Sequence, residues 1–211
     1  MAQEQDHLKT LTEIRTLMEQ SSRFLSLSGL SGIFAGIFAL IGALVAYFYM
    51  GTALFSESYY KLAIVEERLN ANFLIFFFAD AMIVLALALS VGFYFTYRNA
   101  KKKNNPVWTP ATKRLAVNML IPLVTGGLFC ILLVFNRLIY LIAPATLIFY
   151  GLALINGSKY TLTDVRYLGV SEILLGLIGC IWVGYGLIFW AIGFGLLHII
   201  YGTVMYFRYE K

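Results

Sequence analysis

The chain is 211 residues long, 60% hydrophobic and only 13% charged, with sixteen Lys and Arg against eleven Asp and Glu for a net charge of +5. Soluble domains are nearer half apolar, so this composition excludes an ordinary water-soluble fold. It predicts instead an all-α, polytopic membrane helix bundle.

In chain order, residues 1–23 come first. Leu8, Leu11, Ile14 and Leu17 recur every three residues among mixed charges. That spacing predicts a short amphipathic cytoplasmic helix on the inner surface or capping the bundle, and the basic start and apolar core of a signal peptide are missing. Residues 24–211 read as one transmembrane domain. A span needs roughly 20 apolar residues to cross a ~30 Å hydrocarbon layer. Six stretches qualify: 24–50, 73–97, 115–135, 138–156, 167–185 and 187–207.

Ser28, Gly32 and Gly36 in the first span, and Gly176, Cys180 and Gly184 in the fifth, form small-residue stripes that let helices approach closely. They are expected to serve packing, including packing between copies in a homo-oligomer. Between the first two spans, Ser56 to Asn72 is expected to form an interfacial helix anchored by Tyr59 and Tyr60. The basic loop 98–114, with Asn104-Asn105-Pro106 and Thr109-Pro110, is a flexible joint. No stacking aromatics interleave with Lys101-Lys102-Lys103, so it does not read as a nucleic-acid site. Asn136-Arg137 and Gly184-Tyr185-Gly186 are turns short enough to force antiparallel hairpins.

In the third span Pro122 removes a backbone donor and Thr125-Gly126-Gly127 follows, which predicts a kink or local opening. Pro144 does the same in the fourth span. Broken helices at membrane depth line cavities, because freed backbone groups must face protein or water. A faint internal echo links Leu30-Ser31-Gly32-Ile33-Phe34-Ala35-Gly36 with Val170-Ser171-Glu172-Ile173-Leu174-Leu175-Gly176.

Threading six spans leaves only Lys61, Arg68 and Arg137 on one side and the other thirteen basic residues on the opposite side. Basic residues are retained on the cytoplasmic side, which predicts both termini inside and a multi-pass protein of the cell inner membrane.

The candidate site residues are the ionisable groups inside the spans: Asp80, Glu172 and His198, with Asn118 as a neutral companion. A carboxylate at mid-depth costs at least ~2.5 kcal/mol on insertion scales, so it should face the interior and find a partner. Such a cluster can bind or relay protons or hold a hydrogen-bonding ligand. Trp190, Phe194 and Tyr201 share the face of His198 and, with Pro122, Gly126, Gly127 and Pro144, are the expected cavity lining.

Gly29-Leu30-Ser31-Gly32 is similar to the Gly-x-Ser-Gly of rhomboid intramembrane proteases, whose core also has six spans and a last-span histidine. That resemblance implies Ser31 as nucleophile and His198 as its base. Ser31 falls in the first span rather than the fourth, however, and the second-span His and Asn and the first-loop Trp-Arg are absent. The hairpin from Gly176 to Gly202 resembles the repeated hairpins of bacterial acid-resistance membrane proteins. No metal, haem or nucleotide motif is present, and Cys130 and Cys180 read as buried free thiols.

The expected function is therefore binding or passage of a small solute or of protons through an intramembrane polar site, with lipid as surroundings and no cofactor, metal or nucleic acid. The alternative from another class is a non-catalytic sensor, regulatory or assembly partner that docks through its N-terminal helix and basic loop. An intramembrane serine hydrolase is a third reading.

Overall fold

The structure, a computed structural model, describes residues 23–24, 26–51, 62–65, 68–103 and 106–211. The helix expected over 1–23 lies outside the described residues except for Arg23, as do Tyr59 and Tyr60. In chain order the elements are α1 (Gly29–Met50), β1 (Ile64–Val65), β2 (Arg68–Leu69), α2 (Ala71–Lys102) and α3 (Pro110–Phe135). Then come α4 (Ile142–Gly157), flanked by 3-10 turns at Ile139–Leu141 and Ser158–Tyr160, and α5 (Asp164–Ile181). The last rod is α6 (Gly186–Trp190), a π-helical segment (Ala191–Leu197) and α7 (His198–Tyr209).

The chain is mostly helical, and among the described residues five rods are long and apolar enough to cross a membrane: Gly29–Met50, Ala71–Lys102, Pro110–Phe135, Ile139–Tyr160 and Gly186–Tyr209. The remaining rod, α5, has 18 residues but carries Asp164, Arg166 and Glu172. Charge, rather than length, sets it apart from the other five.

Within the segment expected as an interfacial helix, Ile64–Val65 and Arg68–Leu69 are extended strands instead. Ile64 pairs with Leu69 in a two-residue antiparallel ladder, in keeping with the stiffness of β-branched Ile64 and Val65. Asn70 ends it and starts α2, its side chain accepting from the Phe73 backbone N–H and donating to the Leu62 carbonyl.

Glycines set the helix pairs. A Cβ at Gly36 would lie 2.5 Å from the Gly195 carbonyl oxygen, and one at Gly32 would lie 3.1 Å from Gly202 Cα, so α1 lies backbone to backbone on the last rod. A Cβ at Gly151 would lie 2.5 Å from the Gly169 carbonyl oxygen, which joins α4 to α5 in the same way. In lipid such approach maximises van der Waals contact. Gly32 and Gly36 are thus used within the chain, not left for a second copy.

One end of the bundle is tied by polar contacts. The Phe24 N–H donates to the Tyr160 carbonyl, and Asn99 Nδ2 donates to the carbonyls of Ser26 and Leu27. Glu210 accepts from Ser28 Oγ at 3.1 Å and from the Gly29 N–H, which covers two donors at the start of α1. Asp164 receives Arg208 at 3.0 Å and the Tyr209 hydroxyl at 2.6 Å. Arg98, Lys101, Lys102, Lys103, Lys159, Arg166 and Lys211 gather at this end.

Candidate functional site

Gly169 and Gly176 bring α5 onto α4, the first against Gly151 and Ile155, the second against Pro144 and Ile148. Glu172 lies between them in sequence and is wholly buried, at 0% exposure. It stands about 12 Å along α5 from Asp164 and about 14 Å from Ile181, so mid-depth in the rod. Across from it is the π-helical segment: Glu172 Oε2 fills the space that a side chain at Gly193 would need, and Leu147, also at 0% exposure, closes the same space. The carboxyl is walled by packed apolar atoms.

His198 opens α7 and meets Glu172, with Nδ1 3.4 Å from Oε1. Nδ1 lies closer to the Gly193 carbonyl oxygen, at 3.0 Å, and Nε2 lies 2.8 Å from the Tyr150 hydroxyl. Both ring nitrogens are therefore engaged. With the proton on Nδ1, the ring donates to Gly193 and accepts from Tyr150. Neither oxygen of Glu172 has a hydrogen-bond partner among the described residues. A buried polar group left so is costly and calls for an explanation.

The π segment explains the geometry. A π turn spends one more residue per turn than an α turn and disturbs the i→i−4 ladder, and such bulges recur at functional sites. Gly193 and Gly195, both buried, lower the cost of leaving the α-helix and admit neighbours: Glu172 at the first, Leu40 of α1 at the second. The His198 ring takes the Gly193 carbonyl.

The other expected residues are distributed differently. Phe194 stacks toward His198 (ring centroids 6.0 Å) and Tyr150 (5.0 Å), and Trp190 packs on Phe194 (5.1 Å), so this aromatic wall adjoins the pair. Tyr201 packs instead on the cluster of Leu154, Leu162, Val165, Leu168 and Met205. Asp80 lies beside Gly42, whose Cβ would be 3.3 Å from Oδ2, whereas the His198 carbonyl is level with Gly32. Those two glycines are ten residues apart, or about 15 Å along α1. Asp80 is not brought to the pair.

Asn118 and Pro122 prove to be one feature. Pro122 cannot donate to the carbonyl four residues back, which is that of Asn118. Asn156 Nδ2 of α4 donates to that carbonyl at 2.8 Å. The orphaned acceptor is satisfied by the neighbouring helix, and α3 stays helical from Pro110 to Phe135 without the expected opening. Gly126 packs on Phe149, and a Cβ at Gly127 would meet nothing within 4 Å. Pro144 falls in the first turn of α4, where a missing N–H costs little. Ser31 donates to the Ser28 carbonyl and its Cβ faces Gly92 of α2, so it is not poised on His198. Tyr150 and the π turn at Gly193 went unread in the sequence.

No protein-family model matches the chain, and comparison with curated proteins and with solved structures gives no match.

Proposed function

We propose that this chain is a six-span, multi-pass inner-membrane protein with both termini cytoplasmic, which binds and passes protons at Glu172 and His198. The orientation is supported by the thirteen-to-three division of basic residues and by the gathering of the described ones at the tied end of the bundle. The sixth span in this reading is α5, whose charged Asp164 and Arg166 lie at that end while Glu172 alone is carried to mid-depth.

The observation that carries the proton reading is the Glu172 carboxyl, wholly buried, without a hydrogen-bond donor among the described residues, and 3.4 Å from an imidazole nitrogen. Structural carboxylates in lipid pair fully or are avoided. One that is walled by Gly193 and Leu147 leaves no room for a solute beside its oxygens. A proton needs none. The pair can hold one proton in two net-neutral arrangements, Glu172–H with a neutral ring or carboxylate with imidazolium.

The test is proton flux into proteoliposomes of the purified chain, read with an internal pH dye under an imposed potential. Glu172→Gln and His198→Ala are expected to lower flux at least tenfold, with Asp80→Asn unchanged. If all three leave flux and growth phenotype as in the wild type, the proton reading is wrong and the sensor or regulatory role takes its place.

A further inference from the structure

The His198 ring is bonded at both nitrogens to groups that respond differently to a proton. Tyr150 Oη can donate or accept, whereas the Gly193 carbonyl can only accept. We infer that Tyr150 and the π-turn carbonyl of Gly193 are positioning groups that set the tautomer of His198, and that proton transfer to Glu172 releases the Gly193 carbonyl and shifts the π segment. This rests on the proton reading above and adds to it the part that moves.

The step balances as follows. A carbonyl can only accept, so the contacts imply a start with Nδ1–H donating to Gly193, Nε2 accepting from the Tyr150 hydroxyl, and Glu172 as the carboxylate. A proton arriving at Nε2 forms an N–H bond there, and the Tyr150 hydroxyl rotates from donor to acceptor. The Nδ1–H bond breaks as its proton passes to Glu172 Oε1, 3.4 Å away. The ring ends neutral with the opposite tautomer, Glu172 ends protonated and donates back to Nδ1, and one proton has been taken up.

The Gly193 carbonyl has then lost the ring Nδ1–H, and with it the side-chain bond that favours the π turn. An α turn would pair it with the Leu197 N–H, so the segment Ala191–Leu197 moves from π toward α. That change rotates Trp190 and Phe194 relative to α7 and moves Gly195 against Gly36 and Leu40 of α1.

Among the described residues, the titratable groups facing the ring are few. They are Tyr150 from α4 and Glu172 from α5. α6 contributes none, and α1 carries no charged residue between Gly29 and Met50. Tyr201, one turn along α7, packs on the Leu154–Met205 cluster.

The chain has two histidines, so His7→Gln leaves His198 as the single ring to observe with every site residue intact. Its ring nitrogens are followed by 15N NMR in ring-labelled protein in lipid across a pH titration, with Trp190 emission read in parallel in a Trp108→Phe, Trp182→Phe background. The expected result is exchange of the protonated nitrogen from Nδ1 to Nε2 as pH falls, with a Trp190 shift at the same midpoint. Tyr150→Phe is expected to move that midpoint and leave some flux. A single tautomer throughout, or a silent Trp190, in protein that still conducts protons overturns the switch and leaves the proton reading standing. The same silence in protein that conducts no protons overturns both.

Discussion

Glu172 occupies the space that a side chain at Gly193 would require, with Oε2 only 2.5 Å from where a Cβ would be. The two residues are 21 positions apart in sequence, and the carboxyl fits there because Gly193 has no side chain. Gly193→Ala therefore overpacks the site and is expected to cost about 1–3 kcal/mol. Gly127→Ala, with nothing within 4 Å of the new methyl, is expected to be neutral or stabilising by about 0.5–1 kcal/mol through helix propensity. Thermal unfolding of both in the same detergent decides; equal transitions would contradict the packing described.

The unpartnered carboxyl is a cost the fold carries. Glu172→Met keeps an unbranched chain of similar length and removes the buried polar atoms. It is expected to stabilise the protein by about 1–3 kcal/mol, the usual penalty of an unsatisfied buried group, while proton flux falls to the background of empty vesicles. Stability and function moving in opposite directions is the signature of a residue kept for its chemistry. A Met variant that is both less stable and fully active would show that Glu172 is a packing residue.

At the tied end, two acidic residues near each other have unequal weight. Glu210 covers two donors at the start of α1, where no other side chain caps the helix. Glu210→Ala is expected to cost about 0.5–2 kcal/mol, as loss of a helix cap does, and to speed amide exchange in the first turn of α1. Arg208 is 62% exposed in its bridge to Asp164, and Arg208→Ala is expected to change stability by no more than about 1 kcal/mol. Hydrogen exchange at Gly29–Gly32 separates the two; the reverse ranking would refute the capping role.

Periodicity and small-residue spacing made much of this architecture legible. The stripe of Gly32 and Gly36 pointed to a helix contact, and the Asn136-Arg137 and Gly184 turns pointed to hairpins; Arg137 and Gly184 do adopt positive φ there. Glu172 and His198 stood out because ionisable residues are rare in apolar runs. Three things were hidden. Tyr150 looks like any aromatic in a span, because what distinguishes it is its partner on another helix. The π segment depends on tertiary fit around Gly193, which has no local signature. Asp80 looked equivalent to Glu172 in hydropathy alone, and only the pairing of α1 with its neighbours separates them by depth.

Pro122 offers the sharpest test of helix-to-helix compensation. Its missing N–H leaves the Asn118 carbonyl to Asn156, whose Nδ2 lies 2.8 Å away. With Pro122 present, Asn156→Ala strands a carbonyl inside the bundle and is expected to cost about 1–3 kcal/mol. With Pro122→Ala, the new N–H pairs that carbonyl within α3, and the same Asn156→Ala change is expected to cost under about 0.5 kcal/mol, apart from the lost contact at Asn118 Oδ1. The double-mutant cycle, measured by thermal unfolding in lipid nanodiscs, should therefore show a coupling of at least about 0.5 kcal/mol. Strict additivity would mean that the carbonyl finds another donor, and that Asn156 packs against α3 without serving it.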